Sequence, residues 1–326
     1  MDPVGYGRFA AVARTGRHNR CADGVVAAPK TSYFPHLMQE TVCSRASSVG
    51  IPTAPDAKKV REINDLLLDI IGRCSMSKQN VYDNNDFFEN FQSSRSKNVN
   101  FNDCIETPIL FGMLPDLHGK KVLDIGCGMG QHARQYSEMG AESVLGIDLS
   151  EKMLQYAQEH NSSGNIIYQR MAMEDIDTIS ETFDLVTSSL VFDYADDFPG
   201  LMQKIHHLMK KDAEFVFSMS HPIVTAWDGV YDRYTRTETG ERLYANLRNY
   251  CKEGLRKVDW VVNGYECYHR TVSSLINCLI GAGFMIEECQ EAHLSDEMRA
   301  QYPALFGGTI HRPEFIFFRC RKRNRL

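Results

Sequence analysis

Zinc-site spacing, a membrane-length apolar run and an excess of positive charge are all missing from this 326-residue sequence. Its ten cysteines include no C-x-x-C pair and no cluster with histidine, so no metal is expected and the thiols read as reduced, in a cytoplasmic compartment. No apolar stretch approaches the roughly 20 residues that a spanning helix needs, so no membrane segment is expected. The net charge of -6 and the pI of about 6.0 give no general attraction to nucleic acid or acidic lipid. What is present is core material, 43% hydrophobic against 24% charged, over a length that suits one core domain with additions.

Residues 1–56 lack sustained periodicity and mix Gly, Pro, Ser and Ala with scattered charge, the composition of a disordered leader. Bases (Arg8, Arg14, Arg17, Arg20, Lys30, Arg45) outnumber acids (Asp2, Asp23, Glu40, Asp56) there. An organelle-targeting peptide is the alternative, with Asp2 and the low serine content near the start against it. From Ala57 the apolar positions Val60, Ile63, Leu66, Leu67, Ile70 and Ile71 fall at helical spacing. A second helical segment is expected around Phe87, Phe88 and Phe91, so residues 57–115 read as an N-terminal helical cap. Tyr82 and Arg95 within it carry polar tips able to reach over a ligand, or to serve surface and capping roles.

A regular alternation follows. Strands are expected at Val122–Ile125, Ser143–Ile147, Ile166–Gln169, Phe183–Thr187, Glu214–Met219, Phe284–Cys289 and Phe315–Arg319. Helices are expected at Gln131–Glu138, Glu151–Glu159, Leu201–Met209 and Val272–Ile280, with Ser150 as an N-cap and Gly281 and Gly283 as stops. Strands alternating with helices predict an α/β fold with a doubly wound parallel sheet, built from residues 116–222 and 271–322. The last two strands, with no helix expected between them, suggest an antiparallel edge pair. Residues 223–270 interrupt the alternation beyond the carboxyl end of a strand, where open α/β sheets bind ligands. This insertion holds both tryptophans, Trp227 and Trp260, and six tyrosines. Its eight Lys and Arg nearly balance its seven acids, which favours a lid over a small molecule rather than a nucleic-acid platform. Each aromatic has packing of an accessory subdomain as its alternative. A basic tail, 323–326, closes the chain.

Within the first strand and turn, V-L-D-I-G-C-G-M-G, the glycines Gly126 and Gly128 allow a ligand to approach backbone closely. Gln131 stands where a dinucleotide fingerprint needs its third glycine, and Asp124 would repel a pyrophosphate. Both features disfavour NAD and point to a ligand bearing an ammonium group. Asp148 ends the second strand 22 residues beyond Gly126, near the spacing at which an acid accepts both hydroxyls of a ribose. Met173 and Glu174 follow the third strand, where the edge of an adenine would lie; a solvated surface acid is the alternative for Glu174.

With these motifs the chain resembles the class I S-adenosylmethionine-dependent methyltransferases of the type 11 group, over residues from about 80 to 322. V-L-D-I-G-C-G-M-G matches the first motif, G-I-D-L-S the second, and F-D-L-V-T-S-S the strand that borders methyl transfer. The resemblance implies a Rossmann-like seven-stranded sheet with an antiparallel edge hairpin, S-adenosyl-L-methionine as cofactor and no metal. It implies that Gly126 and Gly128 line the cofactor and that Asp124 meets its ammonium, directly or through water. Asp148 would hold the ribose, Leu149 would pack on adenine, and Met173 and Glu174 would face the adenine edge. Ser188 would lie by the methionine, with Tyr82 and Arg95 closing on its carboxylate. Asp193 before Tyr194 replaces the histidine that many relatives carry there. His221, at a strand end facing the presumed acceptor pocket, is therefore the first candidate base, followed by Tyr194, Asp193 and His269; a His-Pro pair with a purely structural role is the alternative. Arg270 and Thr271 are expected to cap and pack. The expected activity is methyl transfer to a small-molecule acceptor. An RNA or protein methyltransferase using the C-terminal bases from Arg319 onward is a second reading, and a non-catalytic cofactor-binding scaffold a third.

Overall fold

The chain divides into two units, Met1–Arg73 and Cys74–Leu326. The computed structural model describes residues 81–84, 88–89, 92–93, 95, 99–258 and 265–323, all in the second unit. The expected leader, the expected helix after Ala57, Phe87, Phe91, Trp260 and the last three residues of the tail lie outside the described residues.

A π-helical turn, Asn102–Glu106, runs directly into helix α1, Thr107–Gly112. The alternation then begins: β1 Lys121–Ile125, α2 Gln131–Glu138, β2 Ser143–Asp148, α3 Glu151–His160, β3 Ile166–Arg170 and β4 Phe183–Ser189. Next come α4 Phe198–Leu208, β5 Met209–Ser220 and α5 Pro222–Thr225. The insertion supplies β6 Tyr234–Arg236, β7 Arg242–Ala245, β8 Gly254–Val258 and β9 Tyr265–His269. The chain closes with α6 Val272–Ala282, β10 Phe284–Glu291, α7 Asp296–Gln301, α8 Pro303–Phe306 and β11 Phe315–Lys322.

The central sheet has seven strands in the order β10-β11-β5-β4-β1-β2-β3. Strands β1 to β5 pair in parallel, and β11 runs antiparallel to both β5 and β10. This is the Rossmann-like sheet expected. Alternation along β1 assigns Leu123 and Ile125 to one face, with α4 and α6, and Val122 to the other, with α1 and α2. The chain leaves β1 toward β2 on one side and later reaches β4 on the other, so their carboxyl ends form a crevice at the switch point.

Four local outcomes differ from the sequence reading. Helix α4 starts at Phe198 rather than Leu201, because the Asp197 carboxylate accepts the Gly200 amide at 2.9 Å and Pro199 suits a first turn. Strand β5 begins at Met209, with Asp212 accommodated at a φ of 61°. Two hairpins, β6–β7 and β8–β9, organise the insertion. The expectation of no helix between β10 and β11 is corrected: α7 and α8 lie there, α7 started by the Ser295 cap. Helices of six and four residues are too short to imprint a periodic apolar pattern.

Candidate active site

The glycine turn is shaped by what its neighbours leave free. The amides of Gly126 and Cys127 donate to the Ile147 carbonyl at 2.8 and 2.9 Å, which ties the turn to the end of β2. Gly126 has a φ of 71°, and a Cβ there would lie 2.2 Å from Val191 Cγ2. Gly130, at φ 78°, would set a Cβ 2.3 Å from the Tyr168 hydroxyl. Gly128, at φ 52°, differs: among the described residues, its chain neighbours aside, no heavy atom lies within 4 Å of its would-be Cβ. The turn is thus packed on both flanks and open over its middle glycine.

Asp148 spans the base of the turn. Its Oδ2 accepts the Gly128 amide at 2.9 Å and its Oδ1 the Ser150 amide at 2.8 Å. Burial raises its pKa, against the pull of these two amides. The Ser150 hydroxyl caps α3 through the Met153 amide at 3.2 Å and donates to Asp83 Oδ1 at 2.6 Å. That bond brings the 81–84 segment onto the start of α3.

Asp124 is 2% exposed, and its Oδ2 is a buried atom without a hydrogen-bond partner among the described residues. Burial, with Asp148 and Glu106 adding negative charge nearby, pushes its pKa up to about 8. Glu106, which sequence reasoning missed, is fully buried at the end of the π-helical turn. Its Oε1 accepts from Ser189 Oγ at 2.8 Å and Ser218 Oγ at 2.6 Å, bridging the tips of β4 and β5. A π-turn leaves no apolar period to read, yet such turns often sit at functional sites. At the end of β4, Leu190 is held at φ 57°, its amide donating to the Ser218 carbonyl and hydroxyl. A bulky residue in that region marks stored strain.

Of the other expected cofactor residues, Tyr82 lies against Tyr194 and Arg95 against Gln131. The Tyr82 hydroxyl lies 2.7 Å from that of Tyr194, and burial pushes its pKa up to about 12. Arg95 donates from Nη2 to Gln131 Oε1 at 3.3 Å, at the first residue after the glycine turn, while its Nη1 lies 3.4 Å from Asp103 Oδ1. Leu149, Met173 and Glu174 are half-buried beyond β2 and β3. Ser188 is fully buried and donates to the Ile125 carbonyl at 2.8 Å, so its hydroxyl ties two strands together instead of facing the crevice.

The candidate bases separate. His221 Nδ1 accepts the Ile223 amide at 3.1 Å as the cap of α5, so the proton sits on Nε2, which donates to Glu291 Oε1 at 2.9 Å. Both nitrogens are engaged, and burial lowers the pKa; the geometry gives a structural histidine. His269 is likewise engaged, by Thr225 Oγ1 and the Tyr250 carbonyl, each at 2.8 Å. Asp193 is 3% exposed, accepts the Ser220 amide at 3.1 Å and has its pKa raised by burial. Arg270 donates to the carbonyls of Ala195 and Asp196, and Thr271 caps α6, the roles expected for them. Among the described residues no group of three or more His, Cys, Asp or Glu side chains is placed to hold a metal ion.

A doubly wound sheet with a glycine turn, a ribose-spaced carboxylate and a buried, unpartnered acid at the switch point defines a class: α/β enzymes that take a nucleoside cofactor carrying positive charge. Residues 123–217 match the type 11 methyltransferase domain family. A solved S-adenosylmethionine-dependent methyltransferase from Mesorhizobium loti is 36% identical, with a TM-score of 0.60, and covers 66% of this chain and 97% of its own. A Listeria monocytogenes protein assigned to the same class is 34% identical, with a TM-score of 0.62 and coverages of 67% and 97%. A Haemophilus influenzae protein without an assigned function is 37% identical over 253 residues, 76% of this chain and 98% of that protein. The chain therefore belongs to the class I S-adenosylmethionine-dependent methyltransferases, type 11 group; it is an enzyme, and its cofactor is S-adenosyl-L-methionine. A ubiquinone biosynthesis O-methyltransferase from Neisseria meningitidis serogroup C is 35% identical over 107 residues, 32% of this chain and 45% of that enzyme.

The residues present fit this cofactor. Asp124 offers a buried acceptor with no partner, and Gly128 leaves space over the turn.

Proposed function

We propose that the methyl acceptor is a small molecule, bound between the tips of β4 and β5 and the insertion. The observation that carries this reading is the docking of the insertion against the turn after β4. Arg270, just after β9, donates to Ala195 and Asp196, and Cys267 lies within electrostatic range of Asp193. The partial likeness to O-methyltransferases of ubiquinone biosynthesis supports the same acceptor class. Three of the C-terminal bases are engaged within the chain, which weakens an RNA reading: Arg319 pairs with Glu288 at 3.0 Å, Arg321 with Glu287 at 2.6 Å, and Lys322 donates to the Met209 carbonyl at 2.6 Å.

In this reading Asp148 grips the ribose, while Asp124 faces the methionine ammonium. Arg95 and Tyr82 close on the methionine carboxylate, and Leu149, Met173 and Glu174 border the adenine. When bound, S-adenosylmethionine supplies an electrophilic methyl group on its sulfonium. The chain's part is alignment, since holding two reactants in line accounts for roughly 7–11 kcal/mol of barrier. Where the acceptor must lose a proton, this reading assigns it to Asp193, with the Tyr194 hydroxyl beside it in sequence, as burial makes its carboxylate a stronger base. Calorimetry with S-adenosylmethionine, followed by S-adenosylhomocysteine release over panels of small acceptors, RNA and protein, tests the proposal. Turnover with RNA or protein and none with small molecules would overturn it.

A further inference from the structure

The insertion contains one guanidinium with no partner of its own. Arg236 binds the Gly240 carbonyl, Arg242 the carbonyls of Pro303 and Ala304, Arg248 the Asp228 carboxylate, and Arg256 backbone carbonyls from Asn249 to Leu255. The Arg233 guanidinium makes no hydrogen bond or ion pair among the described residues; it lies over Trp227, with Cζ 4.0 Å from the ring centroid. Trp227 is itself fixed, donating from Nε1 to the Tyr231 carbonyl at 2.6 Å. Stacking on an indole holds the guanidinium plane and leaves its N–H edge free.

A half-buried cation without a hydrogen-bonded counter-charge is costly, and its persistence calls for an explanation. Burial first and then the nearby Arg312 lower the pKa of Arg233, against a smaller opposing pull from Glu314, so two guanidiniums share one carboxylate. Arg312 is already neutralised, with Nη2 3.1 Å from Glu314 Oε1, and its Nε donates to Tyr234 Oη at 2.9 Å. One uncompensated positive charge remains, which matches a monoanion. Position points the same way. Glu314, whose charge acts on Arg233, accepts the His221 amide on its backbone carbonyl at 2.8 Å, and the adjacent Ser220 amide is held by Asp193, the acid that the reading above assigns to the acceptor. Arg95, beside the glycine turn and paired with Asp103, is the arginine that the reading above assigns to the carboxylate of the cofactor.

We propose that Arg233, stacked on Trp227, is a specificity residue that binds a carboxylate on the methyl acceptor. The proposal rests on the acceptor site argued above and narrows it to monoanionic molecules. The test uses protein saturated with S-adenosylhomocysteine, titrated by calorimetry with 4-hydroxybenzoate and with its neutral analogue 4-hydroxybenzamide. The acid should bind saturably and at least about tenfold more tightly than the amide, the scale of one charge-assisted hydrogen-bonded pair. Arg233→Gln should abolish that preference, Arg233→Lys should keep part of it, and both should bind S-adenosylhomocysteine as the parent does. Equal binding of acid and amide, no binding of the acid, or an unchanged preference in Arg233→Gln would overturn it. Loss of S-adenosylhomocysteine binding by the parent protein would instead overturn the cofactor site.

Discussion

Replacing Asp124 by Asn keeps the shape of the buried group and removes its titration, which makes it the most direct probe of the cofactor crevice. The carboxyl group titrates near 3.8 when unfolded and near 8 when folded. Between those values the native state holds a proton that the unfolded chain has released, so stability falls as pH rises and levels off above the folded value. Each pH step in that window corresponds to about 1.4 kcal/mol, so going from about pH 6 to about pH 8 removes on the order of 2 kcal/mol. Asp124→Asn lacks this loss. Its melting temperature, measured without cofactor, should rise relative to the parent across that interval by several degrees, given about 2–4 °C per kcal/mol for a unit of this size. Cofactor affinity should behave oppositely. The ionised acid attracts an ammonium, so binding by the parent should tighten as pH rises toward about 8, whereas Asp124→Asn should bind at least about tenfold more weakly above that pH. Parallel melting curves for the two proteins, or equal affinities at high pH, would refute the reasoning.

Asp148→Ala leaves the Gly128 and Ser150 amides without their acceptor and removes the carboxylate proposed to hold the ribose; calorimetry should show S-adenosylmethionine affinity reduced at least about a hundredfold. Gly126→Ala forces a methyl group onto Val191 at a positive φ, and chemical denaturation should report a loss of about 2–4 kcal/mol, partly restored by adding Val191→Ala. His221→Ala removes the α5 cap and a buried ring; it should lower stability by about 1–3 kcal/mol while leaving the pH profile of turnover unchanged, because neither nitrogen is free to act as a base.

The sheet was legible because each strand is a short apolar run next to a helix of clear period, and β1 with its turn carries its ligand preference in Asp124 and Gln131. Strand positions at the core varied by only a few residues, as the long β5 shows. The insertion was legible as an interruption but not as two hairpins, since its polar, aromatic-rich strands show no clean alternation. Glu106 was unreadable for a different reason. Its meaning comes from Ser189 and Ser218, 83 and 112 residues away, which no local pattern links to it. His221 shows the converse: its placement at a strand end was correct, but a cap on one nitrogen and Glu291 on the other can be seen only in three dimensions.

Ser150 joins three parts of the molecule through one residue: its amide is held by Asp148, its hydroxyl accepts from the first turn of α3, and the same hydroxyl donates to Asp83. Displacing the 81–84 segment from α3 breaks the Ser150–Asp83 bond and takes Tyr82 away from Tyr194 in the same movement. The rim of the crevice and the carboxylate at its floor therefore share one anchoring residue.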